Sequence, residues 1–162
     1  MSRMLPREWG MLAAAGALIA DQGSKFALLY GLDFLHMESG HNVPILPFFN
    51  LVMVWNPGIS YGLFPASSIW GTAFLVLVSL VTIAGLGYWL WGMTSLSLAI
   101  GVGLVIGGAL GNLIDRMVYG RVADFFHFYA FGHDWYVFNV ADVAITFGAV
   151  AIIYEVLKPA EA

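Results

Sequence analysis

The sequence predicts an all-α integral membrane protein with four transmembrane helices and a small β element in the first extracytoplasmic loop. Three observations lead there. Of 162 residues, 60% are hydrophobic and only 10% are charged, whereas a soluble domain is about one quarter charged. The mean hydropathy is +0.85. The apolar residues also gather into four runs, each close to the ~20 residues that cross ~30 Å of hydrocarbon as a helix. The expected spans are residues 9–29, 69–91, 95–114 and 137–157, in a single four-span domain covering 1–162, with extracytoplasmic loops at 31–68 and 115–136.

The first run opens on Arg3 and Arg7 and has an alanine-rich centre, features it shares with a secretory signal. Asp21 and Lys25 interrupt it and three more runs follow, so it reads as a retained helix. The loop 31–68 carries Asp33 and Glu38 and neither Lys nor Arg, while Arg3, Arg7 and Lys158 sit at the chain ends. That asymmetry puts both termini in the cytoplasm and this loop outside; Arg116 and Arg121 in the second loop weaken the bias. Within the first loop, apolar and β-branched residues from Phe48 to Trp55 stop at Asn56-Pro57-Gly58, the pattern of one or two short strands and a turn. The second run is uncharged. The third contains Gly103, Gly107 and Gly111, and small residues four apart let helix backbones approach closely in lipid. The aromatic second loop, with Phe125, Phe126, Phe128, Tyr129 and Phe131, is expected to hold an interfacial helix or a flap.

Several chemistries are excluded or disfavoured. There is no cysteine, hence no disulfide framework or thiol nucleophile. No basic cluster exists to hold nucleic acid. His36, His41, His127 and His133 lack the His-Glu-x-x-His spacing of a zinc protease. Ser24 and Lys25 are adjacent on a helix and point ~100° apart, so they form no dyad together; a pairing of Ser60 with Lys25 stays open in the sequence. No cofactor is called for.

What stands out is charge inside apolar runs. Asp21, Lys25, Asp115, Arg116 and Asp142 lie in or at the edge of the expected spans, with Asn112 and Asn139 beside them and Asp124 in the second loop. Each ionised residue at mid-bilayer costs ~2.5–3.5 kcal/mol on insertion scales. Counting along the helices brings all of these groups into the outer leaflet and leaves the inner halves nearly free of them. Each also has a structural reading. Asp21 and Lys25 stand four apart as a helical ion pair, and Asp115 and Arg116 snorkel or cap a helix end. Asn112 hydrogen-bonds between helices. Asn139 caps the fourth helix with Asp142 in its first turn, and Asp124 is a solvated loop acid. The chemical reading is that two carboxylates sharing one proton in a partly dry site hydrolyse a peptide bond, one as base on water, the other donating to the carbonyl oxygen.

Five motifs then read together: Asp21-Gln-Gly-Ser-Lys25, Asn56-Pro-Gly-Ile-Ser-Tyr-Gly62, Gly107-Gly-Ala-Leu-Gly-Asn-Leu-Ile-Asp-Arg116, Val122-Ala-Asp-Phe125 and Phe138-Asn-Val-Ala-Asp142. In combination they resemble the bacterial lipoprotein signal peptidases, or signal peptidase II, over essentially the whole chain. The resemblance implies an intramembrane aspartyl endopeptidase of the bacterial inner membrane. Such an enzyme cuts prolipoproteins on the N-terminal side of a diacylglyceryl-modified cysteine and is inhibited by globomycin. It places the catalytic pair on Asp124 and Asp142. It implies supporting or substrate-binding roles for Asp21, Lys25, Asn56, Gly58, Asn112, Asp115, Arg116 and Asn139, and prolipoproteins and membrane lipid as partners. Pro57, Tyr61 and Ala123 depart from the residues usual in those motifs. Two rival readings remain: a proton- or ion-coupled carrier, which should carry polar groups to the inner face or an inverted repeat, and a non-catalytic scaffold, which leaves the clustered acids unexplained.

Overall fold

A computed structural model describes residues 4–58 and 68–158. Along the chain lie α1 (Pro6–Phe26), a π-helical turn (Ala27–Gly31), a short 3-10 turn (Phe34–His36), β1 (Asn42–Leu46) and β2 (Phe49–Asn56). Then follow α2 (Ile69–Trp91), α3 (Leu96–Tyr119), β3 (Val122–Ala130), β4 (His133–Asp134) and α4 (Val140–Leu157). Among the described residues, α2, α3 and α4 are long and apolar enough to cross a membrane. The 21-residue α1 carries Arg7, Glu8, Asp21 and Lys25.

The chain divides into two compact units. The first takes α1 through Asp21, the second half of α2 from Ser79, α3 through Gly111, and α4. Its packing is set by glycine. A Cβ on Gly103 would fall on the backbone of Gly10, one on Gly107 on the carbonyl of Ala14, and one on Gly111 on the carboxylate of Asp21. Numbers rise together along both helices, so α1 and α3 run parallel with backbones nearly touching. On its other face α3 meets α4: a Cβ on Gly108 would lie 2.5 Å from the carbonyl of Ala141, and one on Gly148 2.5 Å from the carbonyl of Gly101. Here the numbers run in opposite senses, so this pair is antiparallel. With little apolar driving force between helices in lipid, such close approach supplies the dispersion contact that holds them. Leu90, Met93, Ala99, Val102 and Ile106 fill the remaining core.

The second unit comprises residues 22–78 and 112–139. Its sheet has the order β1-β2-β3-β4, all antiparallel, with Val54 opposite Asp124 and Asn56 opposite Val122. The expected strands and turn of the first loop are present, and β2 ends at Asn56. The second loop corrects the expectation of a helix or flap, because its aromatic run is strand β3, paired along the whole of β2. Aromatic side chains favour a pleated surface, and Phe49 packs on Phe126 and Phe128 across the strands. Val122, Ala123, Asp124 and Phe125 are all buried, so the first half of β3 is covered on both faces and shows no polar alternation. Beneath the sheet, Leu29, Phe34, Leu51, Met53 and Ala123 form a second core.

Candidate active site

Within the second unit, the polar residues singled out by the sequence form one connected network, built from the last turn of α1, the end of α3, the end of β2, the start of β3 and the residue before α4. Lys25, 2% exposed, places its Nζ 2.8 Å from Oδ2 of Asp115, itself 1% exposed. Gln22 donates to the other oxygen of Asp115 at 3.2 Å, and the backbone N–H of Ala123 donates to Oδ2 at 3.1 Å. The Asp115 carboxylate thus joins helix α1 to strand β3. Asp115 and Arg116 do not end the helix, as the snorkelling reading had it. The helix continues to Tyr119 because the charge it carries is paired inside, not led out to water.

Asn112, one turn earlier on α3, accepts from both Lys25 and Asn139 at 3.2 Å. Asn139 then reaches Asp124, with its Nδ2 2.6 Å from Oδ1. The second oxygen of Asp124 accepts from Nδ2 of Asn56 at 3.0 Å. The Asn56 amide is oriented in turn, since its Oδ1 accepts from the backbone N–H of Gly58 at 3.0 Å, closing an Asx turn just after β2. Arg116 spans the same turn, donating to the carbonyl of Gly58 at 3.0 Å and to that of Asn112 at 3.2 Å. Asp124 is 2% exposed, which rules out the solvated loop acid. Eight of the ten sequence-selected residues, namely Lys25, Asn56, Gly58, Asn112, Asp115, Arg116, Asp124 and Asn139, therefore belong to one hydrogen-bonded assembly. Of the turn motif, residues 59–62 lie outside the described residues.

The other two sit in the first unit. Asp21 is fully buried and accepts the backbone N–H of Ala141 at 2.9 Å. Gly111 lies against its other oxygen, leaving no room there for a side chain. Because the N–H groups of a helix's first turn have no intrahelical partner, a carboxylate brought in from α1 satisfies one at the start of α4. Asp142 stands in that same first turn, partly exposed. Asn139 immediately precedes α4, the position of the expected cap.

Sequence reasoning missed Gln22 and the main-chain N–H of Ala123. Gln22 carried a signal, because it lies three residues before Lys25 and so on the same helical face. The N–H carried none, since a backbone donor has no sequence signature.

Apolar helices that carry a buried constellation of carboxylates, amides and a lysine, with a sheet fixed to it by hydrogen bonds, define a membrane-embedded enzyme. Residues 13–158 match the family described as Signal peptidase (SPase) II. A lipoprotein signal peptidase of Methylobacterium radiotolerans is 46% identical over 156 residues, covering 96% of this chain and 90% of its own length. One from Rhodopseudomonas palustris (strain TIE-1) is 44% identical over 163 residues, covering 98% of each. A bacterial membrane enzyme solved by the in meso method at 2.3 Å superposes with a TM-score of 0.82 at 27% identity, covering 100% of this chain and 99% of its own. The chain belongs to the signal peptidase II family and is a membrane-embedded protease.

Proposed function

We propose that the chain removes signal peptides from prolipoproteins in the bacterial inner membrane. It cuts on the N-terminal side of a diacylglyceryl-modified cysteine, with Asp124 and Asp142 as the catalytic pair. Family membership supports the class of reaction. The assignment rests on one observation: the buried Asp124 has both oxygens held by side-chain amides, at 2.6 and 3.0 Å. Two N–H donors match an ionised carboxylate, which only accepts. Asp124 is then the base that takes a proton from water. Asp142 carries the shared proton and gives it to the scissile carbonyl oxygen as water adds to the carbon. Collapse of the tetrahedral diol breaks the C–N bond: one diol hydroxyl returns its proton to Asp142 as the carbonyl reforms, and the proton held on Asp124 passes to the departing amine of the cysteine. Asn139 serves both ends of this pair, holding Asp124 by its side chain and preceding Asp142 by one helical turn of chain. Lys25, Asp115, Asn112, Asn56 and Arg116 keep Asp124 in place, and Asp21 fixes the start of the helix that bears Asp142.

Four membrane spans are part of the same reading. The glycine register lays α1 parallel to α3 from Gly10 to Asp21, so α1 crosses wherever α3 crosses. With Arg7 and Lys158 near the ends and no cation among the residues of the first loop, both termini are cytoplasmic and the sheet is outside. The acyl chains of the substrate and of globomycin-type inhibitors would then share the outer leaflet with the site.

The experiment is cleavage of a fluorescent lipopeptide by purified protein in proteoliposomes. Asp124→Asn and Asp142→Asn are each expected to abolish turnover while the variants stay folded and inserted by thermal melting. Near-normal turnover by either folded variant would remove the pair.

A further inference from the structure

At the end of α1 away from Asp21, a cation meets an aromatic ring beside a gap between helices. The guanidinium of Arg7 lies 4.6 Å from the ring centre of Trp91. Arg7 is fourteen residues before Asp21 on α1, or ~21 Å along the axis. The Arg7–Trp91 pair separates two cavities, both within the first unit. One, of about 250 Å³, runs alongside α1 and is walled by Met11, Ala14, Gly87, Leu90 and Ile106. The other, of about 320 Å³, lies over the turn between α2 and α3, against Gly92, Met93 and Thr94.

The two spaces differ in chemistry. The first is apolar except where Arg7 and Trp91 close one end, and Gly87 keeps it open. Glycine within a helix costs ~1 kcal/mol relative to alanine, yet no packing demands this one: a Cβ there would meet nothing within 4 Å. The second presents the guanidinium, the Thr94 hydroxyl and the main chain of the turn. Among the described residues Arg7 makes no ion pair. The adjacent acid, Glu8, is engaged, accepting the N–H of Leu5 at 2.8 Å. The cation–π contact with Trp91 restrains the guanidinium, whose planar fork of N–H donors suits a phosphodiester.

We propose that this is a binding site for an anionic phospholipid, with the phosphodiester on Arg7 over the α2–α3 turn and an acyl chain in the groove beside Gly87. Charge complementarity selects an anion, and the adjoining apolar groove selects one that carries a chain. A basic group in a pocket between membrane helices is the usual means of holding such a headgroup. The ligand wedges α1 against the α2–α3 hairpin at the end of α1 remote from Asp21.

The test is native mass spectrometry of the detergent-released full chain after equilibration with dioleoyl phosphatidylglycerol or dioleoyl phosphatidylcholine at matched concentration. Wild-type protein is expected to retain phosphatidylglycerol over phosphatidylcholine by about fivefold, the effect of one basic group at a membrane surface. Arg7→Gln is expected to erase that preference and Arg7→Lys to keep most of it. Gly87→Leu fills the groove and should lower retention of both lipids. Equal retention of the two lipids by wild type, an undiminished preference in Arg7→Gln, or unchanged retention in Gly87→Leu would overturn the site. Lipopeptide cleavage by each variant reports that the protein is folded, since neither residue touches the acids.

Discussion

Replacing Lys25 with methionine keeps the length and apolar stem of the side chain and deletes its charge. The consequence follows from burial. Lys25 and Asp115 are 2% and 1% exposed and 2.8 Å apart, so Asp115 would stay behind as a charge with no cation and no water. Breaking a buried ion pair from one side costs ~3–5 kcal/mol. Two donors remain on Asp115, from Gln22 and from the N–H of Ala123, and they hold the loss near the lower figure, about 3 kcal/mol. At ~2–4 °C per kcal/mol for a chain of this size, the apparent Tm should fall by roughly 6–12 °C. The assay is a thermal melt in one detergent at a fixed scan rate, because membrane proteins rarely refold on cooling. The double variant Lys25→Met/Asp115→Leu removes the stranded charge as well, so it should melt above the sum of the two single losses, with a coupling of ~1–3 kcal/mol. A fall of less than about 2 °C for Lys25→Met, or strict additivity in the double variant, would refute the claim that this pair holds the site together.

Asn139→Leu deletes the 2.6 Å donor to Asp124; a hydrogen bond to a charged group is worth ~1.5–3 kcal/mol, so kcat/KM should fall about 10- to 100-fold in the lipopeptide assay. Gly107→Leu drives a side chain into the carbonyl of Ala14 and should destabilise by at least ~3 kcal/mol. Gly85→Ala meets nothing within 4 Å and should be neutral or slightly stabilising in the same melt, by up to ~1 kcal/mol. On the proposed function, a lipidated precursor should exceed its unlipidated form in kcat/KM by orders of magnitude in one bilayer, since each buried methylene adds ~0.8 kcal/mol of membrane affinity. Equal values for the two would point to a general membrane protease.

Composition and hydropathy marked the chain as a membrane protein with long apolar helices, and α2 has the very bounds, Ile69–Trp91, of its uncharged run. Where the run carried charge, the boundary was misread. The third span was expected over 95–114, with Asp115 and Arg116 snorkelling or capping at a helix end, whereas α3 runs on to Tyr119 and the partner of Asp115, Lys25, is ninety residues away in sequence. Pairing of that kind is a property of the fold, not of any local window. The β3 strand was hidden for a related reason. A strand half-buried in a loop should alternate polar and apolar, but Val122 to Phe125 are buried on both faces, so the period of two vanishes and only the aromatic content remains as a cue. The polar residues were legible as a set because charge in an apolar run is costly wherever it occurs. Their wiring was not, since amide side chains such as Asn56, Asn112 and Asn139 declare neither their partner nor which end will face it.

The grip of Asp115 on strand β3 has a consequence for how this protein can change over time. It holds a main-chain N–H, that of Ala123, and a main-chain N–H is the same for nineteen of the twenty amino acids. Drift at position 123 among small apolar residues therefore leaves the strand anchored and the neighbouring Asp124 in place, so this departure from the usual motif is silent for the chemistry. Proline alone lacks the hydrogen. One position can thus vary among small apolar residues in an alignment and still conceal proline as a forbidden letter.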